Sequence, residues 1–275
     1  MKAGAALAAL LTACAGSQAA VSSAAPIVVP AADVEWGALN PARGDASPRA
    51  ATLWGDRTGS GATGFLVRFV DGFESPPHIH NVTYRGVVIR GLVHNDDASA
   101  EPMWMPAGSY WTQPRGGPHI TAARGETVAY IEIDEGPYLV RPVDQAFEDE
   151  ERPVNVDASE LEWLDASSLG WSAPVQVAPL WGEVGAERPR GMLLKLPAHS
   201  AAESRGRYHA VVIAGRLSQP SSLEPGSYLR SDGVARLACG DDECLVYVRA
   251  EGALELTPLP SSASSREDDP THLSN

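Results

Sequence analysis

The feature that most constrains this chain is that its sequence repeats itself. Three segments of the first half recur in the same order in the second half: LWGD at 53–56 and LWGE at 180–183, YRGVVIRG at 84–91 and YHAVVIAG at 208–215, and GSY at 108–110 and 226–228. The preserved order and nearly preserved spacing indicate a duplication. A chain of 275 residues therefore holds two copies, each of ordinary domain size.

Each copy consists of short apolar or alternating runs that Gly and Pro separate. These runs are 64–70, 87–93 and 127–133 in the first copy, and 191–196, 208–213 and 245–248 in the second. Their length and β-branched content predict strands, and only 158–169, between the copies, has a helical pattern. Many short strands with turn signals predict an all-β fold with one small barrel or sandwich per copy, for which the double-sheet jelly roll is a standard solution.

The N-terminus has the pattern of a secretory signal. Lys2 precedes an Ala/Leu-rich run from Ala3 to Ala13, which is too short to span a bilayer. Leu11 to Cys14 resembles a bacterial lipobox, which implies lipidation of Cys14 and an outer-membrane anchor in the periplasm; the alternative is a plain signal peptide cut near Ala19. The predicted organisation is a signal peptide at 1–14, a flexible tether at 15–35, a first barrel at 36–145, a linker at 146–170, a second barrel at 171–258 and a disordered tail at 259–275.

Charge and cysteine content narrow the partners and the compartment. The chain has 21 Lys+Arg against 35 Asp+Glu, a net charge of −14 without a basic block, which argues against nucleic acid as a partner. Apart from Cys14, the thiols are Cys239 and Cys244, which flank a four-residue turn. In an oxidising periplasm they would form a disulfide, and the alternative is two reduced cysteines packed in the sheet.

The first copy contains two spaced motifs with three histidines. His78-Ile79-His80 lies between Gly72 and Gly91, and Gly108 is followed by Pro114-Arg115-Gly116 and then His119. Residues two apart on a strand face the same side, so His78 and His80 both project into the barrel. A third imidazole from another strand completes a set of metal ligands. The alternative is three buried histidines with ordinary hydrogen bonds.

These motifs resemble those of the cupin superfamily, G-x5-H-x-H-x3,4-E-x6-G followed by G-x5-P-x-G-x2-H. The resemblance covers 53–142 and, through the repeat, about 180–255; it implies tandem cupin (jelly-roll) barrels. The chain resembles uncharacterised bacterial two-cupin proteins of a domain-of-unknown-function family and, more loosely, the zinc-binding cupin of certain anti-sigma factors. It departs from the pattern at Tyr84, which stands where the family has a metal-binding Glu.

Without that carboxylate, the expected ligand set is three His and water, with an open position. Imidazole ligands suit Zn, Fe(II), Ni or Cu and disfavour Mg or Ca. Tyr84 could line the pocket, hydrogen-bond to bound water or ligate as a phenolate. Gln113 could donate an oxygen or simply form the turn before Pro114.

The surroundings of the site and the second copy give further expectations. Arg90, Trp104 and Trp111 are predicted to line the pocket, and an inward Arg90 would attract an anion unless it forms a salt bridge at the rim. In the second copy 201–205 replaces the His-x-His motif, and Arg236 or a neighbour replaces His119. This barrel is therefore expected to be structural; the alternative is an anion pocket at Arg205 and Arg207.

Three classes of function fit this pattern, because cupins include both enzymes and binding proteins. The first is a metal-dependent enzyme acting on a small molecule, with dioxygenase-like or hydrolytic chemistry. The second is a periplasmic module that binds or senses a small ligand or a metal, and the third is a purely structural protein. Either a monomer or a homodimer is expected. The sequence has no nucleophile-elbow, P-loop or H-E-x-x-H motif.

Overall fold

A computed structural model describes residues 24–183, 187–218 and 222–260. Cys14, the signal peptide and residues 261–275 of the predicted tail lie outside these ranges. The strands are β1 Ile27–Val29, β2 Gly37–Ala38, β3 Arg49–Trp54, β4 Thr63–Phe69, β5 His78–His80, β6 Tyr84–Asp96, β7 Tyr110–Gln113, β8 Ile120–Ile133, β9 Val140–Pro142, β10 Val154–Val156, β11 Leu164–Asp165, β12 Gln176–Trp181, β13 Arg190–Leu196, β14 Ala201–Ala214, β15 Tyr228–Ala238 and β16 Cys244–Leu259.

Among the described residues there are five short 3₁₀ segments, at Ala31–Asp33, Pro41–Ala46 with a kink at Gly44, Val143–Gln145, Ala158–Glu160 and Ala166–Leu169. The helical pattern predicted over 158–169 thus forms only two separate turns. Within the part of the chain that the structure describes, no helix has the length and apolar character needed to cross a membrane.

The two copies form two sheets with the same strand order. The first runs β10-β7-β6-β8-β4-β3-β2 and the second runs β1-β15-β14-β16-β13-β12-β11, all in antiparallel pairs. Long strands bend at bulges and curl each sheet into a barrel. In the first barrel the β5–β9 ribbon closes the opposite wall. The expected all-β fold of two jelly-roll barrels is confirmed.

Each barrel receives an edge strand from the sequence region that precedes the other barrel. β1 lies in the predicted tether yet pairs with β15 of the second barrel, and β10 lies in the predicted linker yet pairs with β7 of the first. Residues 24–35 are therefore not a free tether, and 146–170 is not a simple linker. Both segments donate strands because the unpaired edges of β7 and β15 need backbone partners. The predicted tail also begins too early, since Leu259 ends β16.

The central strands are buried on both faces, which explains their nearly continuous apolar sequences. In β4, Phe65 and Val67 point into the first barrel, whereas Leu66 points at the second barrel. The repeat has the same arrangement in β13, where Leu194 faces its own barrel interior and Leu193 faces the first barrel. Burying both faces in this way packs the two barrels back to back.

A disulfide joins Cys239, after β15, to Cys244 at the start of β16. The link spans the turn between the two strands and lies in the second barrel, whereas His78, His80 and His119 belong to the first. Its place supports a structural role.

Candidate metal centre

Strand β5 and the residue just before β8 bring the three predicted histidines together in the first barrel. His78 and His80 lie on β5, and His119 pairs with His78 through two backbone hydrogen bonds of 3.0 Å. The Gly116 amide donates to the His80 carbonyl at 2.8 Å, so the turn of the second motif is tied directly to the first motif. One ring nitrogen from each histidine lies within 4.8 Å of the others, and all three residues are buried. This cluster can hold one metal ion.

Backbone carbonyls orient two of the imidazoles. His78 Nδ1 lies 2.9 Å from the Pro76 carbonyl oxygen, and His119 Nδ1 lies 3.0 Å from that of Gly117. A carbonyl oxygen only accepts, so each Nδ1 carries the proton and each Nε2 keeps a lone pair. Histidine ligands of metals are commonly held by such an outer hydrogen bond. The donor set therefore fits a transition metal.

Burial keeps these histidines neutral. Burial and, to a smaller extent, the neighbouring imidazoles together lower the pKa of His119 to about 3 and that of His80 well below its usual value. Burial also lowers the pKa of His78, with a smaller contribution from Arg43. A neutral imidazole is the form that binds a metal, so the site is ready to bind at neutral pH.

Tyr84 lies beside the histidines and heads a buried hydrogen-bond network. Its hydroxyl donates to Asn95 Oδ1 at 2.8 Å and lies 3.2 Å from His119 Nε2. Asn95 Nδ2 in turn donates to Gln113 Oε1 at 3.1 Å, and Gln113 Nε2 donates to the Gly117 carbonyl. The amide oxygen of Gln113 is thus engaged behind Tyr84. Of the two alternatives for Gln113, this arrangement favours a residue of the turn before Pro114 over an oxygen donor to the metal.

Tyr138, which the sequence did not single out, is the second aromatic residue at the histidines. Its ring stacks on His80 at 4.5 Å between centroids, and its hydroxyl lies 3.4 Å from His80 Nε2. Tyr138 follows β8 in a loop outside both motifs, so no spacing rule points to it. Asn95 was not predicted as a site residue either, although a bulge at Gly91 in β6 would turn its side chain inward.

A cavity of about 200 Å³ opens beside the histidines. His78, His80, Tyr84, Trp111 and Tyr138 line it together with a mainly apolar wall, which includes Leu39, Val67, Phe69, Phe73, Ile131 and Val140. Trp111 therefore lies where it was predicted. The size suits a ligand smaller than most drug-like molecules.

Arg90 and Trp104 do not line this cavity, which corrects two predictions. β6 shifts register on both sides of Arg90, and Gly91 has a φ of 76°, so the strand alternation that pointed Arg90 inward is broken. Arg90 is exposed and lies 3.4 Å from Glu126. Trp104 faces outward against Arg124, because its neighbour Met105 takes the inward position.

The second barrel carries no histidine at the equivalent positions. Ala202 pairs with Leu237 as His78 pairs with His119, and Ser204 precedes Tyr208 by four residues as His80 precedes Tyr84. Leu237, a neighbour of Arg236, thus replaces His119. Ala202, Ser204 and Leu237 are buried in a packed core, whereas Arg205 is exposed and paired with Glu203. The positions equivalent to the three histidines therefore offer no metal ligand in the second barrel, which supports a structural role.

Solved structures with the same fold include proteins of different activity. A protein from Nostoc punctiforme described as a putative dioxygenase is 17% identical, with 82% of each chain covered and a TM-score of 0.63. A Bacillus subtilis oxalate decarboxylase, described with Mn(II) centres, is 11% identical over 87% of this chain and 81% of its own (TM-score 0.51). Hazelnut vicilin is 11% identical, covering 84% and 88% (TM-score 0.52). At these identities the likeness shows the cupin fold alone.

No curated protein matches the sequence. One family, described as a domain of unknown function (DUF4437), matches residues 27–257, a range that covers both barrels and both exchanged strands. The chain belongs to this DUF4437 family and has the cupin fold.

Proposed function

We propose that this protein is a metal-dependent enzyme that acts on a small organic molecule in the first barrel, with dioxygenase-like chemistry. The observation that carries the proposal is the cluster of His78, His80 and His119, of which His78 and His80 line a cavity with mainly apolar walls. These three residues would hold a divalent Zn, Fe, Ni or Cu ion, and the resemblance to the zinc-binding cupin of anti-sigma factors keeps zinc among the candidates. Such an ion supplies Lewis acidity and, if redox-active, electrons for O₂ chemistry.

The cavity lining favours oxygen chemistry over hydrolysis. A hydrolase commonly needs a side chain that accepts and returns a proton near the reacting atoms. Besides the histidines, the polar residues that line the cavity are Asn40, Arg43, Tyr84, Thr121 and Tyr138. Burial raises the pKa of both tyrosines, so neither is a base at neutral pH. The tyrosines would orient the substrate, and the apolar walls would exclude water.

Elemental analysis of protein purified without a histidine tag tests the metal site. We expect about one metal per chain in the wild type and loss of stoichiometric metal in His80→Ala, because two imidazoles alone hold an ion weakly. His199→Asn is the matched control, since His199 is exposed in the second barrel and asparagine tolerates its φ of 58°. Full occupancy in His80→Ala would contradict the site assignment.

The identity of the metal then tests the reaction. Bound Fe(II) with O₂ uptake in the presence of small organic acids would support dioxygenase-like chemistry. Zinc as the metal that the protein retains through purification would contradict it, because zinc is redox-inert; zinc added later as a probe would not.

A non-catalytic module that binds or senses a ligand is the second candidate. The hydroxyls of Tyr84 and Tyr138 lie 3.2 and 3.4 Å from two histidine Nε2 atoms, near enough to crowd the open coordination position. Stoichiometric metal without turnover of any organic acid would favour this function.

We also propose that the protein is a periplasmic lipoprotein anchored at Cys14, either monomeric or a homodimer. The lipobox-like sequence before Cys14 supports the anchor, and the Cys239–Cys244 disulfide is typical of an oxidising compartment. Labelling of expressing cells with a radioactive fatty acid should mark the wild type and not Cys14→Ser. Equal labelling of both proteins would contradict lipidation at this residue.

A further inference from the structure

The charge of the cavity is opposite to that of the whole protein. The chain has a net charge of −14, yet no Asp or Glu is among the residues that line the cavity. Arg43 is the charged side chain of that lining. An acidic protein that keeps carboxylates away from its binding cavity repels anions less inside it than at its surface.

Arg43 is held at the mouth of the cavity by a short capped turn. It belongs to the Pro41–Ala46 turn, where Asn40 Oδ1 accepts a hydrogen bond from the Ala42 amide and the Asn40 amide donates to Ser47 Oγ. The guanidinium lies 5.9 Å from the centroid of Phe73, another residue of the cavity wall. The turn therefore places a cation next to an apolar surface.

This cation has no carboxylate partner in the part of the chain that the structure describes. None of the ion pairs formed among the described residues includes Arg43, whereas Arg85, Arg90, Arg115 and Arg249 each pair with an acid. A guanidinium presents a planar fork of donors that matches a carboxylate in a bidentate geometry. Arg43 is thus available to a ligand.

The proposed metal would add to this positive field. Three neutral imidazoles bring no negative charge, and Tyr84 replaces the carboxylate that the cupin motif would supply. A divalent ion at this site would keep its full charge of +2, so the cavity would have two positive groups, the ion and Arg43, within mainly apolar walls.

Resting on the proposed function, we infer that the substrate is a small organic carboxylate with an apolar body, and that Arg43 selects it. The carboxylate binds Arg43 at the mouth, the apolar body packs against Phe69, Phe73 and Ile131, and the opposite end approaches the histidines. Arg43 is a specificity-determining residue in this arrangement. The class covers aromatic and branched aliphatic monocarboxylates of about the size of benzoate.

Calorimetric titration of the zinc-loaded full chain tests this inference with pairs of probes of equal shape. Benzoate is compared with benzamide, and 2-methylpropanoate with its amide. We expect each acid to bind at least about tenfold more tightly than its amide, because a charge-assisted hydrogen bond contributes about one to two factors of ten in affinity. Arg43→Gln should lower the affinity for the acids about tenfold and change the affinity for the amides by less than about twofold. Arg43→Lys should retain part of the preference.

Arg90→Gln is the matched control, because it removes the same charge from an exposed residue outside the cavity. Equal binding of acids and amides, equal effects of Arg43→Gln and Arg90→Gln, or no binding of either probe would overturn the inference. Zinc stoichiometry is measured first on every protein. A wild type that fails to hold zinc overturns the proposed metal site, whereas full zinc with no acid preference overturns only the role of Arg43.

Discussion

Tyr84 changes the character of the site more than any other single residue. A carboxylate at this position would bring a negative charge to the metal, whereas Tyr84 is a buried phenol whose pKa burial raises. Its hydroxyl donates to Asn95 Oδ1, which also accepts from Thr121 Oγ1 at 2.8 Å. The phenol proton is therefore already used inside the protein, which favours a role in the pocket wall over one as a ligand.

Replacing Tyr84 by phenylalanine should leave about one metal per chain. The three histidines remain, and the outer Nδ1 of His119 is held by Gly117 and not by Tyr84, so we expect metal affinity to fall by less than the roughly tenfold minimum for loss of an outer partner. Competition with a chelating dye measures the affinity. The matched control is Tyr138→Phe, which removes the other hydroxyl near a histidine Nε2.

A visible absorption spectrum of the protein loaded with Fe(III) distinguishes Tyr84 as a metal ligand from Tyr84 as a residue of the pocket wall. A phenolate ligand gives an intense visible charge-transfer band, and a pocket-wall tyrosine gives none. A band that Tyr84→Phe abolishes and Tyr138→Phe preserves would show that Tyr84 is a ligand.

At the residue scale, the positions of site residues could be predicted where their spacing alone decides the geometry. His78 and His80 share a face because they are two apart, and the turn of the second motif returns His119 to His78. The inward direction predicted for Arg90 was wrong, because a bulge at Gly91 inverts the alternation of β6. Arg43 comes from a 3₁₀ turn far from the motifs in sequence, where no periodicity predicts a contact.

At the scale of elements, strands buried on both faces were the easiest to predict. Runs such as β4 and β13 are apolar throughout because one face fills a barrel and the other meets the second barrel. The three-residue strands β1 and β10 were not predicted. They are too short for an alternation pattern, and their partners β15 and β7 lie far away in sequence. The predicted tether and the predicted linker therefore each contribute a strand to a sheet.

The histidine-bearing β5 shows how a short element gains order from its neighbours. It has only three residues, but it pairs with β9 on one side and with His119 on the other. The Pro76-Pro77 pair before it limits the backbone to extended conformations. These constraints hold two candidate ligands on a rigid wall of the barrel, which is the arrangement that a preorganised metal site requires.

At the scale of the whole molecule, a buried ionic network joins the barrels. Glu132 of the first barrel accepts hydrogen bonds from Tyr130 at 3.0 Å and from Tyr247 of the second barrel at 2.7 Å. Arg249 of the second barrel lies 3.5 Å from Glu132 and 2.7 Å from Asp134. Burial raises the pKa of Glu132, and Arg249 opposes this effect. The network therefore stabilises the docked barrels only as long as both Glu132 and Arg249 are present.

Removing the Arg249 guanidinium should destabilise the protein without changing metal binding. In Arg249→Met the buried Glu132 loses its closest cation in the second barrel, and we expect the free energy of unfolding to fall by about 3 kcal/mol. The double variant Glu132→Gln, Arg249→Met should recover part of this loss. Urea denaturation measures both, and metal stoichiometry should stay at the wild-type value.

An exposed ion pair provides the comparison for this experiment. Arg90→Met breaks the pair with Glu126 at the surface, where the expected cost is under about 1 kcal/mol. A loss in Arg249→Met no larger than in Arg90→Met would contradict a stabilising role for the buried network.

The reciprocal exchange of β1 and β10 also bears on how such a chain arose and how it can be divided. A first barrel cut out as residues 24–153 would keep β1, which has no acceptor there, and would leave the edge of β7 bare. Because β7 and β15 occupy the same place in their sheets, β1 of one fragment could fill the β7 edge of another. Two fragments would then form a symmetric pair with two metal centres. The present chain has the form of such a strand-swapped pair joined covalently, in which one subunit has exchanged its histidines for a packed core.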